Sequence, residues 1–124
     1  MGKVTGVVEC NLKKWGFEIM WLFCSNGFVS IVAHRELEGH LLVRARKMEH
    51  LKMLFPNSDI FTLKDADYPH RAVVSRIEAA DAILKQLELL QYDNFKKSID
   101  EKKYSNTCNT VWKVLFDYGR KFRK

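Results

Sequence analysis

No stretch of this chain comes near the roughly 18 uninterrupted apolar residues that a membrane-spanning helix needs. Its first residues also lack the layout of a secretory signal, because Glu9, Asn11, Lys13 and Lys14 break up any apolar run there. Cysteine is scarce. Cys10, Cys24 and Cys108 are odd in number, far apart and without a C-x-x-C pair, so neither a disulfide framework nor a zinc ribbon is signalled. There is no P-loop, no G-x-G-x-x-G and no G-x-S-x-G nucleophile elbow. Internal repeats and low-complexity segments are missing too. These absences lead us to expect a soluble, cytoplasmic protein with reduced thiols and no membrane partner.

What remains is the composition of an ordinary folded domain: 124 residues, 47% hydrophobic and 12% aromatic. The net charge of +6 hints at an anionic partner, but Arg120, Lys121, Arg123 and Lys124 crowd into the last five residues. Only two of the six net charges are left for the rest of the chain. The basic tail at 120–124 attracts phosphate non-specifically, while the body carries no such excess. We therefore divide the chain into an N-terminal extension or edge strand (1–19), one α+β domain (20–119) and the tail.

Period-two patterning dominates the first half. A weak alternating run at 4–8 precedes a polar stretch. Residues 20–23 then read as a strand, Ser25-Asn26-Gly27 as a turn in which Gly27 offers positive φ, and 28–33 as the returning strand. A second turn at 36–39 leads to a strand in which Leu41, Val43 and Ala45 alternate with Leu42, Arg44 and Arg46, which sets the two arginines on one face. Met48, Leu51, Leu54 and Phe55 fall at helical spacing until Pro56-Asn57-Ser58 stops the helix. Short strands are expected at 60–63 and 72–74.

Ser75 and Glu78 have the spacing of a capping box, opening a helix that runs to about Leu90 with Ile77, Ala80, Ile83, Leu84, Leu87 and Leu90 as its apolar face. Asp93 is placed to cap a further helical turn over 94–102. Ser105-Asn106 precedes a last helix with Val111, Trp112, Leu115, Phe116 and Tyr118, closed by Gly119. Trp15, Trp21, Trp112 and Phe116 are read as core. Strands first and helices later predict an antiparallel β-meander with helices packed mainly on one face, in two layers.

The segments MWLF, NGFVSIVAH, LLVRAR, YPHRAVVSR, YDNFK and VWKVLFD, in this order, resemble a family of small bacterial proteins whose chains start at the equivalent of Met20. The resemblance covers residues 20–118 and carries no biochemical activity. Residues 1–19 and the basic tail depart from the family's pattern.

Chemistry is sparse and basic. Arg44, Arg46, Arg71 and Arg76, together with Tyr92, Asn94 and Lys96 of the YDNFK segment, are the candidate ligand-binding residues. Arginine forks match phosphate or carboxylate, and a helix N-terminus adds aligned amides. Arg76 stands in a first helical turn, where a cation opposes the helix dipole and so points to a ligand. Against this, Arg44 and Arg46 also suit the solvated face of a strand, and Asp93 and Asn94 suit a turn. His34 and His40 can face each other across a hairpin, which admits a metal, and His34 or His70 can serve acid–base cleavage of a phosphodiester. Neither motif is specific, so no catalytic residue, metal or cofactor is assigned.

The leading expectation is a non-enzymatic module holding a phosphate-bearing small molecule, a nucleotide or nucleotide-derived signal, between the sheet and the start of the central helix, with a possible homo-oligomer. The alternatives are a nucleic-acid binder using the basic tail, a metal-independent phosphodiesterase or ribonuclease, and a protein–protein adaptor.

Overall fold

Strict alternation of side chains builds the sheet. The computed structural model describes residues 19–123, and the expectations placed on 1–18, including the strand at 4–8 and Trp15, lie outside them. Strand β1 (Ile19–Cys24) turns into β2 (Gly27–Ala33), which is followed by β3 (His40–Ala45). Helix α1 (Met48–Leu54) and the two-residue strand β4 (Phe61–Thr62) lead to β5 (His70–Ser75). The order is β1-β2-β3-β5-β4, with every neighbouring pair antiparallel. The first three strands form the predicted meander. At the far edge the chain places β4 outermost and returns as β5 beside β3.

Cys24 pairs with Gly27 across the first hairpin, leaving Ser25-Asn26 as a two-residue turn. Gly27 does not supply the positive φ expected of it; among the described residues that role falls to Gly39, at φ 78° before β3. Gly27 is needed for space instead. A Cβ there would stand 2.7 Å from Cγ of His50 on α1, and the Phe28 amide donates to His50 Nδ1 at 3.1 Å.

Val29 and Ile31, Val43 and Ala45, and Ala72 and Val74 all turn to one side of the sheet. There they meet Leu51 and Leu54 of α1 and Ala79 and Ala82 of helix α2 (Arg76–Glu88). Each large side chain buried in this way contributes about 1.5–3 kcal/mol. The result is the expected α+β arrangement of two layers, with α1 and α2 on one face.

The capping box of α2 forms as read: Glu78 N donates to Ser75 Oγ at 3.1 Å and Ser75 N to Glu78 Oε1 at 2.8 Å. Its buried face differs from expectation. Ala79 and Ala82, with half-buried Ile83, face the sheet, whereas Leu84, Leu87, Leu90 and 81%-exposed Ile77 face outward. Ser75 is both the last strand residue and the N-cap, so the strand exit sets the helix's rotation, and the alanines allow a close approach.

Beyond α2, the turn of helix expected after Asp93 shrinks to a single 3-10 turn (Lys96–Ser98), and Asn94, not Asp93, caps it by accepting from Lys97 N at 3.1 Å. Helix α3 (Lys102–Arg120) starts earlier than Ser105, because the Glu101 carboxylate accepts from Lys103 N at 2.8 Å and Tyr104 N at 3.0 Å. Gly119 lies inside it and does not close it. Tyr104 and Cys108 bury against Ile99, Phe23, Phe28 and Phe95, and Tyr104 Oη donates to the Cys24 carbonyl at 2.7 Å. Past Cys108 the apolar stripe continues through Leu115 and Tyr118 without burial, and Phe122 beyond the helix is 68% exposed. Trp112, like Trp21, is therefore not core.

Candidate functional site

The alternation that packs the core forces an arginine cluster onto the other face. With Val43, Ala45, Ala72 and Val74 turned toward the helices, Arg44 and Arg71 must point away, and the register sets them side by side, with Ser30 of β2 next to Arg44. Arg46, one residue past β3, continues the same side.

Tyr68 lies buried beneath these arginines: the guanidinium carbons of Arg44 and Arg46 stand 4.6 and 4.2 Å from its ring centroid. Such cation–π contacts are each worth about 0.5–2 kcal/mol, depending on how far water is excluded. Pro69 holds Tyr68 extended, and Arg71 Nε fixes its carbonyl from 3.0 Å. Arg44 Nη2 donates to the fully buried Ser30 hydroxyl at 2.9 Å, and Arg44 Nε is buried with no partner. Only Arg46 has a carboxylate: its Nη2 reaches both oxygens of Asp67, at 3.2 and 3.3 Å.

Three guanidiniums therefore share one exposed carboxylate among the described residues. Burial, and then the neighbouring Arg71 cation, hold the Arg44 guanidinium below its ordinary pKa. Arginine stays charged even so. An anion resting on Arg44 and Arg71 would relieve that repulsion and supply bidentate acceptors.

The predicted site residues thus separate. Arg44, Arg46 and Arg71 converge. Arg76 lies at the far end of β5, five residues or about 16 Å along the strand from Arg71. It opens α2, where Arg76 N donates to Gly39 O at 3.1 Å and the Ser75–Glu78 box occupies two further amides. At the start of the central helix the amides of Arg76 and Glu78 are already bonded, and the clustered arginines stand on the sheet face opposite α1 and α2.

Tyr92, Asn94 and Lys96 form a different place. Asn94 and Lys96, with Phe23, Phe95, Cys108, Val111, Trp112 and Leu115, line a cavity of about 400 Å³ between β1, the 3-10 turn and α3. Lys96 Nζ stands 3.9 Å from the Trp112 ring centroid, and Tyr92 leans on Phe95 at 6.0 Å between centroids. The walls are apolar apart from Asn94 and Lys96, and Asn94 is engaged as a cap.

His34 and His40 do meet across their turn through the backbone, His34 N donating to His40 O at 3.1 Å, but each ring bonds to the turn itself. His34 Nδ1 accepts from the amides of Glu36 and Leu37 at 3.1 and 3.0 Å, which ties it to its own turn. His70 sits against Thr62 at the opposite end of the sheet, 3.2 Å from its hydroxyl. Among the described residues no group of three or more His, Cys, Asp or Glu is placed to hold a metal. Cys24 and Cys108 are buried free thiols, both with pKa values raised by burial, so neither is an activated nucleophile.

Sequence reasoning found the arginines of this face but passed over Tyr68, Ser30 and Asp67, which hold them. Parity was the available signal for Ser30: it alternates with Val29 and Ile31 as Arg44 alternates with Val43 and Ala45. Tyr68 carried none, because its position depends on a loop returning across the sheet. No helix among the described residues is long and apolar enough to cross a membrane. No family model, curated protein or solved structure matches the chain.

Proposed function

We propose that this protein is a non-enzymatic module that binds a phosphate-bearing ligand on the sheet face opposite α1 and α2, with Arg44 and Arg71 as the pair that grips the anion. One observation carries the reading: two adjacent, partly buried guanidiniums, one with an unpartnered Nε, have no carboxylate within ion-pairing distance among the described residues. Buried cations are ordinarily paired, because desolvating an unpaired charge is costly. Tyr68 and Ser30 hold the Arg44 side chain in place before any ligand arrives, so little ordering entropy is lost on binding. Arg46, tied to Asp67, rims the site and steers anions toward it.

The test is thermal shift and calorimetry with pyrophosphate and a panel of nucleotides at low salt. Stabilisation by at least one phosphate compound is expected, lost in Arg44→Ala and Arg71→Ala and kept in Arg76→Ala. No stabilisation by any of them, or equal binding by all three variants, refutes the reading.

A further inference from the structure

The sheet register lines up one continuous row across the face opposite α1 and α2: Trp21, Ser30, Arg44, Arg71 and Phe61, one residue from each strand; α3 and the 3-10 turn pack on Phe23 and Phe28 of this same face, beside Trp21. Both ends of this row are aromatic and open, Trp21 at 62% and Phe61 at 44% exposure, while Ser30 between them is fully buried. Trp21 is propped by Phe28, whose ring meets it edge-on at 6.0 Å between centroids. Neighbouring strands stand about 4.8 Å apart, so Trp21 and Phe61 are separated by about 19 Å with the two arginines between them. A large aromatic is thus left exposed at each edge, in line with two cations that have no carboxylate among the described residues.

We infer that the ligand is a single-stranded nucleic acid laid across the strands, its bases stacking on Trp21 and Phe61 and its phosphates resting on Arg44 and Arg71. This rests on the phosphate-binding reading above and narrows it. Stacking on aromatic side chains combined with backbone contacts to cations is how single strands are held without base-edge readout. A mononucleotide that stacks on one ring cannot reach the other across four strand spacings; a chain of several nucleotides can. A duplex hides its bases from both rings. The local charge is complementary, with three guanidiniums against Asp67 alone. The basic tail is a separate, unspecific attraction and takes no part in the row.

The experiment is fluorescence anisotropy of the full chain with labelled eight-nucleotide oligo-U and oligo-dT, a duplex of equal length and UMP as competitor, over a salt series. The expected result is that one or both single strands bind at least tenfold tighter than the duplex and UMP. Trp21→Ala and Phe61→Ala should each weaken the oligomer roughly 5- to 150-fold, the range that losing one stacked base gives, while leaving pyrophosphate binding unchanged. Arg44→Ala and Arg71→Ala should each flatten the slope of log K against log salt by about 0.7. Because Trp21 and Phe61 are exposed, unfolding is not the expected outcome of their truncation, and Trp21→Leu with Phe61→Leu repeats the test with the surface kept apolar. If pyrophosphate binds through the arginines but the oligomer binds no tighter than UMP, or the aromatic variants bind the oligomer as the wild type does, the nucleic-acid inference is overturned and the phosphate reading stands. If oligomer binding vanishes on deleting 120–124 and survives in Arg44→Ala and Arg71→Ala, the tail is the site and the inference is overturned. If nothing phosphorylated binds, both readings fall together.

Discussion

Removing one oxygen, in Tyr104→Phe, should loosen the whole of α3. The helix is buried against the rest of the protein in its first two turns, where Tyr104 and Cys108 pack on Phe23, Phe28, Phe95 and Ile99, and the Tyr104 hydroxyl donates to the Cys24 carbonyl at 2.7 Å. The phenylalanine ring preserves the packing, so the loss is confined to the hydrogen bond. A net bond of this kind contributes about 0.5–1.5 kcal/mol, and a buried group left unpaired costs about 1–3 kcal/mol. We expect Tyr104→Phe to lose about 1–2 kcal/mol at pH 7, read as a lower urea midpoint at unchanged m-value.

The pH dependence makes the test sharper. Burial is the main cause holding the Tyr104 phenol well above its ordinary pKa. Above pH ~10 the unfolded chain releases this proton while the folded one keeps it, so folding takes up a proton and stability falls by up to ~1.4 kcal/mol per pH unit. The contribution is complete below the unfolded pKa and disappears as pH rises toward the folded one. Tyr104→Phe lacks this slope, so the gap between the two proteins should narrow between pH 10 and 11. Amide exchange over residues 102–120 should quicken in the variant at pH 7 while the exchange of β2 and β3 holds. A variant as stable as the wild type at pH 7, or a gap that stays constant to pH 11, would refute the anchoring role.

Two further predictions concern the ring beneath the first hairpin. Gly27→Ala drives a methyl to within 2.7 Å of His50 Cγ and should cost about 1–3 kcal/mol by overpacking; in a His50→Ala background the ring clash goes while the 2.9 Å approach to Cβ of residue 50 stays, so part of that cost should vanish, giving a coupling energy in a double-mutant cycle, and simple additivity would exclude the ring clash as a cause. Burial and the nearby Lys47 ammonium lower the His50 pKa, and its Nδ1 must stay unprotonated to accept from the Phe28 amide. The unfolded chain therefore protonates first as pH falls, so the stabilisation present above pH ~6.5 is lost below it; urea midpoints measured from pH 7.5 to 5 should show this decline in the wild type and a shallower one in His50→Ala.

The fold was legible wherever one residue's choice of side fixed its neighbours. Once Val43 and Ala45 are assigned inward, Arg44 has only one place to go, and the same parity in β5 delivers Arg71 beside it. Helical elements were less determinate. In α2 the string Ile77, Leu84, Leu87, Leu90 satisfies helical periodicity as well as Ala79, Ala82, Ile83 does, and hydrophobicity favours the wrong one. The rotation of that helix is decided by how Ser75 leaves β5, a three-dimensional constraint that no window on the sequence contains. The same holds for Tyr92, Asn94 and Lys96, whose separation from the arginines follows from the path after Leu90 and not from their residue types.

Aromatic position misled for a related reason. Residue size favours the core for Trp21, since Trp is highly buried on average in folded proteins. Parity said otherwise: Trp21 alternates with Leu22, which packs against the core cluster, so Trp21 belongs to the arginine side. Size argues about averages, whereas parity argues about this strand. Phe61 on β4 pairs with Arg71 and so inherits the same side from the opposite edge. Its exposure is then no accident of a frayed edge, because the register that seats Arg44 next to Arg71 also fixes Trp21 and Phe61 in their row. A shift of β4 by one residue would turn Phe61 to the helix face, remove one end of the row and leave the arginine pair intact. Mutations that slip β4 should therefore spare pyrophosphate binding while weakening the oligonucleotide, separating the contribution of the row from that of its charged centre.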